Sequence, residues 1–257
     1  MSSLKTLSLI ALSLVSIGWL QFKRFQTLTQ AQENTSQAQL AGEDQAQVLQ
    51  LELMQKLPGF GFDNLIADWT FLQFLQYFGD DAVREQVGYT VSPDFFKVIV
   101  DKDPRFIEPY FYLSNSVSLY AAEPETSVAL MAQGLESLAP TVPPNSYFVW
   151  RYKGIDELLF LGDGRAAQES FEAAAEWAEQ SPDPEGKSVA ESSRNTANFL
   201  AKNPSSRAAQ ISAWASILVR AVDDRTRDIA VKNIEALGGS ITVNQQGQVS
   251  VTFSPDE

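Results

Sequence analysis

The apolar residues of this chain recur mostly at helical spacing, and they are densest between Gly59 and Asp80. On a helix, this run has an apolar stripe that widens almost all the way round, leaving a narrow polar line of Thr70, Gln73 and Gln76. Such a helix cannot face water on two sides, so we predict that it is central to a helical stack or pressed against a partner. The apolar members are Phe62, Leu65, Ile66, Trp69, Leu72, Phe71, Phe74, Leu75 and Phe78.

The same spacing returns downstream in pairs of helices that are separated by proline and glycine turns. New pairs begin near Pro104, Asn145 and Gly186, about forty residues apart, which is within the period range of helix-pair solenoids. The third pair is predicted to join 189–202 with 207–222, across Asn203-Pro204. The other predicted helices are 48–57, 91–101, 106–122, a helix from Pro124 onward, 147–161, 165–179 and 225–237.

The two ends of the chain differ from this helical pattern. Thr6 to Leu20 is apolar and lies between Lys5 and the pair Lys23 and Arg24, which favours an uncleaved signal anchor over a cleaved signal peptide. At the other end, apolar residues alternate on either side of a Gln/Gly turn, which predicts a β-hairpin packed on the last helix. The predicted domains are an anchor (1–24), a polar tether (25–47), a helical repeat domain (48–239), and a β-hairpin with tail (240–257).

Composition narrows the possible functions. The chain has 257 residues, a net charge of −13, no cysteine and no histidine. The negative charge repels phosphate backbones and argues against nucleic-acid binding. The missing residue types exclude disulfides, thiolate nucleophiles, zinc–sulfur sites and imidazole bases. We therefore predict a non-enzymatic protein with no catalytic residue, no cofactor and no metal site.

Acidic pairs at helix ends are the remaining candidates for cation binding. None has the spacing of an EF-hand loop, and carboxylates at helix ends commonly serve as caps or lie in solvated turns. We therefore interpret them as caps and turns. The pairs are Asp80 with Asp81, Asp101 with Asp103, and Asp223 with Asp224.

One helix pair has a more specific pattern. Gly162, Ala167, Phe171 and Ala174 have a small–aromatic–small spacing that resembles the second helix of a tetratricopeptide repeat. In such a repeat, small residues let the paired helices approach closely while the aromatic ring fills the gap. The fold class expected from this resemblance is all-α: a degenerate tetratricopeptide-like solenoid of helical hairpins.

A broader resemblance covers most of the part after the tether. The segments GFDNLIADWTFLQFLQYFGD, DPRFIEPYFYLSNSVSLYA and WRYKGIDELLFLGDGRAAQESFEAAAE resemble a group of bacterial, including cyanobacterial, membrane-anchored tetratricopeptide-like proteins of largely uncharacterised function. The resemblance implies an N-terminal anchor and an all-helical repeat domain, and it implies no chemistry. The expected location is a single-pass anchor in a plasma or thylakoid membrane, with the exoplasmic or lumenal side slightly favoured for the domain.

Arginine and large aromatic side chains near the repeat turns are the candidate partner-binding residues, since interfaces favour these types. Core packing is the alternative for the aromatic ones, and helix phase alone does not decide between the two. The candidates are Arg105, Tyr112, Trp150, Arg151, Tyr152, Trp69 and Tyr77.

Three functions remain open at this point. The first is a non-enzymatic, membrane-anchored protein–protein scaffold, such as an assembly or stability factor for a membrane complex, with a photosynthetic complex suggested by the resemblance alone. The second is a carrier of an apolar ligand such as a lipid or pigment, which requires a hydrophobic cavity near Trp69 and Phe74. The third is a carboxylate-dependent hydrolase, which requires two facing acids.

Overall fold

The computed structural model describes residues 37–203, 207–221, 224–243 and 249–253. This part of the chain is predominantly helical, with one pair of short strands, so the all-α prediction is confirmed. The chain divides into two units, 1–46 and 47–257. The anchor predicted at 1–24 lies outside the described residues. Among the residues that are described, no helix is both long enough and apolar enough to cross a membrane.

Proline, glycine and aspartate mark most helix ends close to where the sequence predicts them. Asp80 accepts a hydrogen bond from the Val83 amide at 3.3 Å, and Asp163 accepts one from the Ala166 amide at 2.9 Å, so both carboxylates cap helices. The helices are α1 (Gln37–Lys56), α2 (Asp63–Phe78), α3 (Asp81–Val87), α4 (Ser92–Lys102), α5 (Tyr110–Leu113), α6 (Pro124–Leu135), α7 (Tyr147–Leu159), α8 (Gly164–Gln180), α9 (Gly186–Lys202), α10 (Arg207–Arg220) and α11 (Asp224–Ala236).

The helix predicted at 106–122 differs most from its prediction. It begins at Tyr110, since Pro109 disfavours helical geometry in the residue before it and is accepted at the helix start. From Ser114 to Tyr120 it continues as a π-helical segment. Single π-helical turns of this kind are rare and are often found at functional sites.

The main core lies where α2, α4 and α6 meet. Phe74 of α2 is fully buried, and its ring centre lies 4.6 Å from that of Phe96 and 5.8 Å from that of Tyr112. Val98, Leu113 and other buried side chains complete this cluster. The central stretch therefore contributes to the core, although through one side of α2 only.

A second core joins α10, α11 and the C-terminal hairpin. Strands β1 (Ser240–Val243) and β2 (Val249–Thr252) are antiparallel, with Ile241 opposite Val251. Both of these side chains pack against the cluster around Trp214, so the predicted hairpin and its packing on the last helix are confirmed.

The prediction that 189–202 pairs with 207–222, now α9 and α10, is wrong. α9 packs against α8, and α10 packs mainly against α11. Small residues on α9 such as Ala190 and Ala197 fit closely beside α8, whereas the larger Ile211 and Trp214 of α10 pack with Ala230 and Ile234 of α11. The sizes of the buried side chains thus decide which helices pair.

Candidate functional site

An exposed apolar stripe runs along the outer side of α2. Leu65 is 56 %, Trp69 58 % and Leu72 53 % exposed, and Phe62, just before the helix, is also exposed. The opposite side of the helix buries Phe74. We call Phe62, Leu65, Trp69 and Leu72 the α2 stripe. Contiguous apolar surface of this kind often marks a site of interaction.

The polar surroundings of the α2 stripe are acidic. Asp68 is exposed and lies one turn from both Leu65 and Leu72. At the start of the helix, the Asp63 carboxylate is 3.8 Å from the Lys102 ammonium, which offsets its charge in part. A ligand that covers the stripe would therefore meet an apolar surface with a negative edge.

α1 also exposes apolar side chains in the unit 47–257. Leu49 and Leu53 of α1, and Leu57 directly after it, are all more than half exposed, whereas Leu51 is buried. They resemble the α2 stripe in exposure but lack an aromatic residue. Leu53, at 62 % exposed, therefore offers a matched control for Trp69.

Of the aromatic candidate residues near the core, only Trp69 lies on the α2 stripe. Tyr77 is half-buried, accepts a hydrogen bond from the Val91 amide at 3.2 Å, and lies 3.9 Å beneath the Arg84 guanidinium. Tyr112 packs edge-on against Phe71 and Phe74. These two tyrosines thus contribute to packing inside the domain.

The other four candidates contact several different elements. Arg105 is exposed, and its Nε is 3.4 Å from the Ser137 carbonyl oxygen that accepts from it. Arg151 donates to Ser192 at 3.1 Å and to Ser193 at 2.9 Å, and burial lowers its pKa despite the neighbouring Tyr152. Trp150 meets the Trp177 ring edge-on, and Tyr152 contacts Phe111.

An open cavity lies between the π-helical segment, α7, α10 and α11. Its volume is about 400 Å³. Its wall is mainly apolar and aromatic, with Phe111, Leu119, Tyr152, Ile155, Phe160 and Ile217 as the main contributors. Hydroxyl and amide groups complete it, from Ser114, Asn115, Ser216 and Thr226.

The cavity is not where the carrier hypothesis placed it. That hypothesis requires space near Trp69 and Phe74. Phe74 is enclosed by Phe78, Phe95 and other rings, and Trp69 points outward, so side chains fill that region. The space lies instead beside α7 and α10.

A carboxylic acid is buried on α7, behind the π-helical segment. The Asp156 carboxylate accepts hydrogen bonds from Ser118 at 2.5 Å and Ser127 at 2.7 Å, both through Oδ2. The Ser114 hydroxyl also favours the charged form of Asp156, and Asp156 Oδ1 has no hydrogen-bond partner among the described residues. Burial outweighs the hydroxyls and raises the pKa of Asp156 to about 6.

The next residue, Glu157, belongs to a separate buried group between α7 and α8. Lys153 and Ser170 both donate to its carboxylate, and Lys153 also donates to the Ser170 hydroxyl at 3.1 Å. Lys153 and Glu157 are only 15 % and 5 % exposed. Because Ser170 belongs to α8 and the other two residues to α7, these contacts link the two helices through buried polar groups.

Sequence reasoning missed both of these carboxylates. The available signal was the presence of Lys153, Asp156 and Glu157 in a largely apolar helix. Among the described residues, no group of three or more Asp or Glu side chains could hold a metal ion. No family model matches the chain, and the curated proteins and solved structures likewise include no significant match.

Proposed function

We propose that this protein is a non-enzymatic scaffold whose α2 stripe binds an amphipathic helix of a partner protein. Phe62, Leu65, Trp69 and Leu72 recur at three- and four-residue steps along one side of α2. Helix-in-groove recognition uses apolar anchors at this same spacing. Tryptophan is also among the residue types that dominate binding energy at interfaces. The outward stripe is the observation that supports the proposal most.

The length of the stripe suits a short helix as the occupant. From Phe62 to Leu72 the chain rises about 15 Å at the helical rise per residue. A partner helix of about three turns covers this length with its own apolar face.

Charge suggests the polar side of that partner helix. Asp68 lies beside the stripe, Asp63 lies at its start, and the whole chain has a net charge of −13. Complementary charge at the rim of an interface speeds association and disfavours wrong partners. The proposed occupant is therefore an apolar helix face flanked by lysine or arginine.

The location and the repeat type are parts of the same proposal. Residues 1–24 serve as the membrane anchor, and α7 with α8 forms a degenerate tetratricopeptide-like unit in which Phe171 lies between the buried Ala167 and Ala174. The partner is then a membrane-associated protein. The resemblance to cyanobacterial proteins favours a complex under assembly, such as a photosynthetic one.

Site-directed photocrosslinking in native membranes tests the proposal. A benzophenone amino acid replaces Leu72 in the full-length chain, and crosslinked segments are identified by peptide mass spectrometry. We expect a segment whose helical projection has an apolar face flanked by lysine or arginine. The Trp69→Gln substitution should lower the crosslink yield by about tenfold or more, the effect of losing an interface hot spot.

Leu53→Gln is the matched control, since it removes an equally exposed apolar side chain from α1. It should leave the crosslink unchanged, and a synthetic peptide of the captured segment should bind the protein more weakly as salt is raised. Crosslinks to a second copy of this chain, to lipid alone, or to a segment without a basic amphipathic helix would refute the proposal.

A further inference from the structure

The cavity beside α7 has the size and lining of a ligand site. Its volume of about 400 Å³ falls within the roughly 300–1,000 Å³ typical of small-molecule pockets. Such pockets combine a mainly apolar wall with a few polar groups. The wall here follows this composition, with Phe111, Tyr152 and Ile217 among its apolar members.

The lining is uncharged among the residues that the structure describes. Two of its hydroxyls already donate inside the protein: Thr226 to the Tyr120 hydroxyl at 2.8 Å, and Ser216 to the Ser212 carbonyl at 3.0 Å. An ionised ligand group placed here would lose hydration, and none of the described lining residues offers an opposite charge. The chemistry of the wall thus selects for a neutral ligand.

Contacts within and behind the wall hold it in place before any ligand binds. The Phe160 ring meets the buried Trp214 ring edge-on at 5.2 Å between centres, and Phe111 lies 5.5 Å from Tyr152. Arg225 donates to the Tyr120 carbonyl at 2.8 Å, which links α11 to the end of the π-helical segment. A wall that is already ordered reduces the entropy lost on binding.

We propose that this cavity binds a neutral, mainly apolar small molecule, such as the hydrocarbon chain of a lipid or alcohol. The site lies on α7, α10 and the π-helical segment, and it shares no residue with the α2 stripe. It therefore does not depend on the scaffold proposal, and either can fail without the other.

Photoaffinity labelling with a long-chain alcohol that bears a diazirine tests this site in the full-length protein reconstituted in vesicles. We expect concentrated labelling of peptides that contain 111–120 and 152–160. Ile217→Trp, which fills the cavity, should reduce this labelling at least fivefold. Val219→Trp is the matched control, because Val219 lies on the same helix, is 67 % exposed and does not line the cavity.

Competition by unlabelled compounds then shows whether the bound hydrocarbon belongs to a membrane lipid or to a dissolved ligand. Protection by an unlabelled phospholipid indicates a membrane lipid, and protection only by the free alcohol indicates a dissolved ligand; both support the site. Labelling spread evenly over exposed apolar residues, or equal in Ile217→Trp and Val219→Trp, would overturn it. If Ile217→Trp fails to fold by circular dichroism, Ser216→Phe at the exposed rim takes its place with the same expected loss.

Discussion

Helix α2 is more apolar than helix α8, yet fewer of its residues are buried. α2 is rich in aromatic and aliphatic residues, yet Leu65, Trp69 and Leu72 face outward and only three of its residues are buried. α8 contains several glutamates, yet more of its residues are buried. Its buried residues are Gly164, Ala167, Ser170, Phe171, Ala174, Ala175 and Ala178.

The number of neighbours explains this difference. α8 packs against α7 on one side and α9 on the other, and its alanines allow both to come close. α2 packs mainly against α4 and leaves its other side without a cover in the described structure. High apolar content therefore indicates that a helix needs a partner, and it does not indicate that the partner lies in the same chain.

The largest expected effect is on α8. Phe171→Ala should lower the free energy of unfolding by about 3–5 kcal/mol. The Phe171 ring lies beside the buried Gly154 and in one buried cluster with Leu200, so its removal leaves a cavity there. Urea denaturation followed by far-UV circular dichroism measures the change. A loss below about 1 kcal/mol would mean that α8 is not as tightly covered as the structure indicates.

The buried acid on α7 gives a pH test. Because burial raises the pKa of Asp156 from 3.8 to about 6, the folded protein holds this proton more tightly than the unfolded chain does. The stability that protonated Asp156 contributes is therefore fully present below about pH 4, and it is lost as the pH rises through about 6. Asp156→Asn should be more stable relative to the wild type at pH 8 than at pH 4, by up to about 3 kcal/mol.

Denaturant unfolding of both proteins between pH 4 and 8 provides the measurement, and the difference between them removes the titration of groups that do not interact with Asp156. Asp94→Asn is a control, since Asp94 forms a partly exposed ion pair with Lys97. A difference between Asp156→Asn and wild type that does not change with pH would show that the buried carboxyl keeps an ordinary pKa.

A smaller effect is expected on the buried side of α2. Thr70 is fully buried, and its hydroxyl donates to the Ile66 carbonyl at 2.7 Å. Thr70→Ala removes this bond and a buried methyl group, so we expect a loss of about 1–2 kcal/mol in chemical denaturation. An unchanged stability would indicate that this side of α2 is as open as the stripe.

The smallest effect on stability is expected at the stripe itself. Trp69→Gln should change the free energy of unfolding by no more than about 0.5 kcal/mol, as for other exposed positions, while it lowers partner crosslinking by about tenfold or more. Thermal unfolding of the isolated protein checks the first part. A strongly destabilised Trp69→Gln protein would mean that Trp69 packs within the fold, and the contrast between α2 and α8 would disappear.

Local signals in the sequence were sufficient to predict where most helices end. Pro124 opens α6, the aspartate before α8 caps it, and apolar spacing predicts both α7 and the C-terminal hairpin. These features depend on residues a few positions apart, which a linear pattern contains. The start of α5 at Tyr110 was missed although Pro109 was visible, because the apolar spacing continued across it.

The sequence alone therefore determined an all-helical chain with a terminal hairpin and one unusually apolar helix. Only the tertiary structure decided that α9 pairs with α8, that Asp156 is buried, and that Trp69 faces outward while Phe74 does not. Each of these depends on which distant helix covers a given side. Helical periodicity specifies that a side is apolar, but packing between elements far apart in the chain specifies what, if anything, lies against it.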